Sequence, residues 1–411
     1  NDRDCDDTNA KTNPTSYEIC DNVDNDCNGD VDDDAINAGT WYVDADADGH
    51  GDPAQDVTAC DQPANTVLSA DDCDDADAAA WPGADEVWYN GIDEDCDGGN
   101  DFDQDGDGVD SDAHGGTDCD DTDPTLAETC ELYEFDDHTF TACGTSGRDG
   151  PTLSACRNSY DTEWDSDSDY FDMDTQGIQK WTVPADGDYE IIAVGAGAGT
   201  NTSYSSYPGR GVRERGTFTL EKGEVIFILV GQQGQSVQAH AGAGGGSFVV
   251  QSDYTALVVA GGGGSPCRGD YHLSTQDATS SSSGVNSTCS GGSGGDGGES
   301  CGGSYGSGGG GLTGDGADGP GASSGGKSFI AGGRGGQCDA TCGSNAGAGG
   351  FGGGGGTYHD VYGGGGGGYS GGGGGTYCEG GGGGGSYNTG SDTDSDEGYN
   401  SGGGWVSIEL L

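Results

Sequence analysis

Residues 351–387 read FGGGGGTYHDVYGGGGGGYSGGGGGTYCEGGGGGGSY. Glycine loses more backbone entropy on folding than any other residue and buries no side chain, so this composition alone describes a linker. The surroundings argue otherwise. Between residues 178 and 260 lie short apolar, β-branched runs, IQKWTVP, DYEIIAVG, GTFTLEKGEVIFILVGQQG, GSFVVQS and TALVVAGGGG, and GWVSIELL closes the chain. Their length, composition and flanking Gly or Pro make them strands, with EKGE as a hairpin-like turn. The glycine segment therefore leaves a sheet and returns to it, carrying Cys301, Cys338, Cys342 and Cys378. It reads as an insertion, mainly 261–404, tied into a β-sandwich over 131–411.

Side-chain-free backbone can adopt a threefold extended helix, and neighbouring helices can approach closely enough to exchange N–H and C=O bonds. Burial requires every such group to find a partner. Tyr358, Tyr362, Tyr369, Tyr377 and Tyr387 would supply the apolar surface that glycine lacks.

The other end of the chain is a different physical regime. Residues 1–123 hold 36 Asp against two basic side chains, Arg3 and Lys11. DCDD recurs at 4–7, 72–75 and 118–121, and D-x-D-x-[DN]-G occurs as DNDCNG, DADADG, DEDCDG and DQDGDG from Asp24, Asp44, Asp93 and Asp103. Carboxylates at positions 1, 3 and 5 converge on a cation and Gly at position 6 makes the turn. The expected ligands are Asp24, Asp26, Asn28 and Asp32; Asp44, Asp46, Asp48 and Asp52; Asp93, Asp95, Asp97 and Asp101; and Asp103, Asp105 and Asp107. Position 12 holds Ala35, Gln55, Gln104 and His114 instead of a bidentate Glu, so these are not EF-hands. The missing oxygens are expected from the DCDD acids: Asp4, Asp6 and Asp7; Asp72, Asp74 and Asp75; Asp118, Asp120 and Asp121. Cys27 and Cys96 occupy position 4 of two loops, where a disulfide would pin the loop.

A formal net charge of −61 excludes a phosphate-neutralising surface and repels anionic lipid, leaving divalent cations as natural partners. Sixteen cysteines without closed Cys/His spacings point to disulfides formed in an oxidising compartment. The chain opens at Asn1 inside a repeat, which suggests an exported segment that extends further toward its N-terminus.

The strings WYVDADADGHGDP, ADDCDDADAAAWPGADE and EICDNVDNDCNGDVDD resemble MopE-type metal-binding repeats, related in style to thrombospondin type 3 repeats, over 1–130. One member of that family binds copper. Here only His50 and His114 lie in the segment and the sole Met lies elsewhere, so several Ca²⁺ ions are expected and copper is disfavoured. Trp88 stands where the first repeat has Cys20, which leaves the disulfide pairing open.

FTACGTSGRDGPTLSACRNSY, GIQKWTVPADGDY, LEKGEVIFILVGQQG and LVVAGGGG, with the glycine runs, resemble the TNF-like and glycine-rich ectodomain region of the anaplastic lymphoma kinase and leukocyte tyrosine kinase receptors. The resemblance implies a mainly β fold, a jelly-roll sandwich with an inserted bundle of polyglycine II helices, and a Cys143–Cys156 pair. No kinase or transmembrane segment accompanies it, so receptor signalling does not carry over.

GASSGGKS at 321–328 fits the phosphate-loop formula but lacks the flanking strand and helix. No nucleophile–base constellation is present, so no enzyme is expected. The expected role is a secreted, cell-surface or matrix protein, bacterial by its repeat type and stiffened by calcium. It would self-associate into a fibre or layer through an exposed backbone edge. The alternative is a monomeric recognition module for an extracellular protein, peptide or glycan, with no nucleic acid and no membrane insertion.

Overall fold

The computed structural model describes residues 5–6, 8–124, 132–203, 206–238, 240–266, 274–301, 306–319, 323–337, 346–357, 363–376 and 379–411. The chain divides into two compact units, Asn1–Cys130 and Glu131–Leu411.

The first unit has little regular structure. Strand β1 (Gly39–Val43) lies between β2 (Asp56–Ala59) and β3 (Thr66–Val67), all antiparallel. Turns make up nearly all the rest. Among its described residues the buried hydrophobic side chains are Ala35 and Ala80, whereas Glu18, Asp44, Asp72, Glu94, Asp118 and Asp121 are buried. Such an interior cannot supply the usual apolar driving force. Disulfides Cys5–Cys27, Cys20–Cys60 and Cys73–Cys96 close loops of 22, 40 and 23 residues. In the chain-entropy picture each contributes about 3–4 kcal/mol.

The second unit is mainly β. Six strands, β5 (Phe171–Thr175), β6 (Ile178–Thr182), β9 (Val225–Leu229), β10 (Ser247–Gln251), β11 (Ala256–Ala260) and β12 (Tyr387–Asn388), form a sheet in the order β12-β11-β10-β9-β6-β5. Five more, β4 (Asp137–Phe140), β7 (Gly187–Val194), β8 (Gly211–Leu220), β13 (Ser391–Asn400) and β14 (Trp405–Leu410), form the order β13-β8-β7-β14-β4. All pairings are antiparallel. Alternating side chains of both sheets, among them Tyr189, Ile191, Phe218, Ile226, Ile228, Val258, Val406 and Ile408, share one core. Period-two burial of one face is the reason these runs are strands. The α-helix Leu153–Arg157 is short, is capped by the Thr152 side chain, and carries Cys156, which is bonded to Cys143 in the loop after β4. That disulfide is the pair the receptor resemblance implies.

Two expectations need correction. EKGE does make a tight turn, with Glu224 N donating to Glu221 O at 3.0 Å and Gly223 at φ 81°. It is not a hairpin: β8 goes to one sheet and β9 to the other, so the turn is a corner between them. Strand β13, SDTDSDEGYN, was not expected, because Asp, Ser and Gly are poor strand formers. It is held as an edge by β8, where Arg213 pairs with Asp394 and Asp396 at 2.8 and 3.1 Å.

The described glycine segments are packed. Gly309 N donates to Gly372 O, Gly372 N to Gly366 O and Gly366 N to Gly382 O, at 2.8–2.9 Å. A Cβ on Gly309 would lie 2.0 Å from Gly366 O, and one on Gly365 1.9 Å from Gly372 O. No side chain fits between such backbones, so glycine is required here by space. Leu312, Phe329 and Phe351 anchor these segments against Leu229, Phe248, Val250 and Val259 of the six-stranded sheet. Tyr369 and Tyr387 stack at 4.3 Å; Tyr358, Tyr362 and Tyr377 lie outside the described residues. Cys301 pairs with Cys289, while Cys338, Cys342 and Cys378 also lie outside them.

The contrast with an open glycine gives a test. Gly403 has nothing within 4 Å of its Cβ position. Gly309→Ala should cost about 1–3 kcal/mol or more through overpacking, and Gly403→Ala should leave thermal unfolding nearly unchanged. Equal melting temperatures for the two variants would contradict close backbone packing.

Candidate metal centres

Each D-x-D-x-[DN]-G segment folds by having its first and third side chains accept N–H bonds from the residues ahead. Asp24 accepts from Asn28 N and Gly29 N at 3.2 and 3.0 Å; Asp93 accepts from Asp97 N and Gly98 N at 3.2 and 3.1 Å. Asp103 likewise accepts from Gly108 N at 3.0 Å. The position-6 glycines Gly29, Gly49, Gly98 and Gly108 have φ of 106°, 102°, 77° and 99°, the left-handed region that the turn demands. These turns drive carboxylates toward one point.

Clusters among the described residues bring carboxylate oxygens within 4.8 Å of one another, including Glu18, Asp24 and Asp26; Asp44, Asp46 and Asp48; Asp46, Asp72 and Asp75; Glu86, Asp93 and Asp95; and Asp103, Asp105 and Asp121. They follow two designs. In the loops from Asp44 and Asp103, acids of the following DCDD segment close the site: Asp75 accepts from Ala45 N at 2.7 Å, and Asp121 from Gln104 N at 3.0 Å. In the loops from Asp24 and Asp93, a preceding glutamate does so. Glu18 accepts from Asp26 N at 2.7 Å and Glu86 from Asp95 N at 3.2 Å. Sequence reasoning missed both glutamates. Their signal was the shared E-[IV]-x-x-N in YEICDN and DEVWYN, ahead of the loop's first Asp.

The remaining expected ligands have other partners. Asp32 accepts from Asp21 N and Asn22 N at 3.1 Å, and Asp101 from Tyr89 N and Gly91 N at 2.9 and 2.5 Å, so both brace the segment before the loop. Asp52 accepts from Ala54 N and Gln55 Nε2, Asp74 from Ala76 N, Asp97 from Gly99 N, and Asn28 Oδ1 from Asp30 N. Asp6 and Asp120 accept from Thr8 and Thr122. Asp4 and Asp7 lie outside the described residues.

A second regularity concerns what is left over. Asp46, Asp48 and Asp72 each keep a buried Oδ2 with no hydrogen-bond donor, and so do Asp105, Asp107 and Asp118. These are equivalent positions, the third and fifth of the loop and the first of DCDD, in two separate repeats. Asp72 is 5% exposed and Asp118 is fully buried. A buried carboxylate oxygen without a donor is costly unless a cation faces it. At an effective dielectric of about 20, two charges 4.8 Å apart repel by about 3–4 kcal/mol. The donor set is all oxygen. His50 Nδ1 is engaged by Asp71 at 2.9 Å while its ring stacks on Trp81, and His114 stacks on Tyr89. The residues present fit a metal ion.

The disulfides tie neighbouring loops together. Cys73, between Asp72 and Asp75 of one cluster, is bonded to Cys96 inside the next loop, and Cys5 is bonded to Cys27 in the same register. The GASSGGKS segment is otherwise engaged: Lys327 Nζ pairs with Asp315 at 2.7 Å, and Ser328 N and Oγ donate to the same carboxylate. An internal acid thus takes the place a phosphate would need.

Comparison with known proteins gives similarities of two kinds. A family model described as a metal-binding motif, of the copper-binding MopE type, matches residues 4–33, 72–101 and 118–130. The leukocyte tyrosine kinase receptor of Mus musculus is 38% identical over 96 residues, which is 23% of this chain. The match spans 11% of that receptor's length.

Burial raises the carboxyl groups of Asp46, Asp72, Asp105 and Glu86 above their ordinary range, with neighbouring acids adding to the shift. A raised carboxyl holds its proton to higher pH and must release it before a cation binds. Ion affinity should therefore fall as pH drops toward 5, with measurable proton release on titration at about pH 5 and little at about pH 7.5. Calorimetry in buffers of different ionisation enthalpy reads this directly; proton release that does not change with pH would contradict it. Asp72→Asn and Asp118→Asn should each remove about one equivalent of bound ion, counted by native mass spectrometry.

Proposed function

We propose that the chain is an extracellular, non-catalytic recognition module whose acidic repeats are held by Ca²⁺ and whose glycine-rich sandwich presents loops to a ligand. The observation that carries it is the recurrence of donorless buried carboxylate oxygens at equivalent positions of two repeats. The clustered ligand atoms are carboxylate oxygens, and hard oxygen donors favour calcium over copper; Cys119, a free thiol beside Asp118, is the one soft donor next to an assigned ligand among the described residues. Asp44, Asp46, Asp48, Asp72 and Asp75 would hold one ion, and Asp103, Asp105, Asp107, Asp118 and Asp121 another. Glu18 with Asp24 and Asp26, and Glu86 with Asp93 and Asp95, would hold two more. The bound ion supplies charge neutralisation, and the chain's own turns supply the geometry.

Five disulfides among the described residues support an oxidising compartment for the module. In the second unit we read the hydrogen-bonded glycine segments as polyglycine II helices inserted in a jelly-roll sandwich, in keeping with the receptor-like sequence. Such packing makes a stiff scaffold, on which loops suit recognition.

Growth into a fibre by strand addition is the less favoured reading. The edge strand β13 is exposed and carries Asp392, Asp394, Asp396 and Glu397, and charge on an edge opposes pairing with another copy. Light scattering after gel filtration, with calcium and with chelator, separates the two. A monomer in both conditions, expanded by the chelator, is expected; calcium-dependent filaments would overturn the monomeric module.

A further inference from the structure

The strongest unassigned feature is a polar cleft of about 630 Å³ in the second unit. It is walled by the loop after β4, the loop after β9 and the glycine segment around 346–348, with Ser146, Arg148, Gln233, Gln235, Ser236 and Gln337 facing it. Its size suits one or two sugar rings.

In a chain with 73 acidic and 12 basic residues, a half-buried arginine ordinarily finds a carboxylate. Arg148 does not. Its Nε donates to Gly335 O at 3.1 Å and its own carbonyl accepts from Gly335 N at 2.9 Å, which fixes the side chain in place. Its two Nη groups have no hydrogen-bond partner among the described residues. The adjacent acid, Asp149, is taken by Arg334. Burial, and Arg334 nearby, press the Arg148 guanidinium below its ordinary value, and Asp149, which also lines the cleft, partly offsets them.

The glutamines complete the pattern. Gln235 Oε1 accepts from Ala348 N at 3.0 Å, which orients the amide and leaves Nε2 as a donor. Gln233 Nε2 donates to Ala198 O and Ser401 O, which leaves its Oε1 as an acceptor. A fixed guanidinium, one amide donor, one amide acceptor and the Ser146 hydroxyl match a carboxylate beside sugar hydroxyls. Among the described lining residues no aromatic or large aliphatic side chain offers a peptide anchor.

We propose that this cleft binds an acidic saccharide, with Arg148 holding the carboxylate of a uronic-acid-type residue and Gln233 and Gln235 reading its hydroxyls. The assignment rests on the recognition-module reading and names its ligand class. Confinement of the carboxylate to this cleft matters, because the rest of the chain repels anions.

The test is calorimetric titration of the whole chain, in excess calcium, with digalacturonate and with its methyl ester, which keeps the hydroxyls and removes the charge. Digalacturonate should bind at one site and the ester about tenfold more weakly or not at all. Arg148→Gln keeps an N–H donor for Gly335 O, and Gln235→Glu keeps an acceptor for Ala348 N while adding a negative charge. Both should weaken digalacturonate by about tenfold or more, and Lys222→Gln, on an exposed turn, should not. No binding by the unaltered chain, equal binding of the ester, or full affinity in Arg148→Gln would each overturn the proposal. A monodisperse, calcium-retaining chain that binds no uronate refutes the ligand class alone; filaments or loss of calcium binding refute the module reading separately.

Discussion

Repulsion between carboxylates that the backbone forces within 4.8 Å of one another is the constraint on which the first unit depends. The turns that gather the loop acids are local, made by side chains accepting N–H bonds two to five residues ahead, and Glu18, Glu86, Asp72, Asp75 and Asp121 join them from outside the loops. What the turns cannot do is neutralise the charge they concentrate. Among the described residues two buried alanines offer almost no compensating apolar burial, and three disulfides reduce the entropy of the unfolded chain without relieving native repulsion. In the account proposed above, a multivalent counter-ion supplies the remaining cohesion at the donorless oxygens.

The second unit solves the same shortage differently. Its sheets share an ordinary apolar core, but the glycine segments beside them bury backbone in place of side chains. Close approach lets the described glycine segments satisfy N–H and C=O groups on neighbours, and Leu312, Phe329, Phe351 and Tyr369 seat them on the sheet. Entropy lost by glycine is offset by a dense hydrogen-bond network that any larger residue would break.

Strands β6, β7, β9, β10, β11 and β14 were legible as apolar runs, and the loop aspartates as a spaced motif, because both signals are local. What escaped is non-local. β13 pairs with β8, where Arg213 holds the Asp394 and Asp396 carboxylates and Arg215 donates to the Asp392 carbonyl, contacts that its own composition does not announce. The two halves of GTFTLEKGEVIFILVG look like a hairpin until the topology sends them to different sheets. Glu18 and Glu86 complete two clusters from outside the motif, while Asp32 and Asp101, in register with the motif, brace the backbone. Motif position states which acids are near a loop; the fold decides which of them face its centre.

Amide hydrogen exchange across residues 8–124, in saturating calcium and after chelation, tests the central account most directly. Protection is expected with calcium and its loss in chelator, while the glycine segments of the second unit stay protected in both. Protection of residues 8–124 that is indifferent to chelation would contradict the claim that a cation holds this unit together.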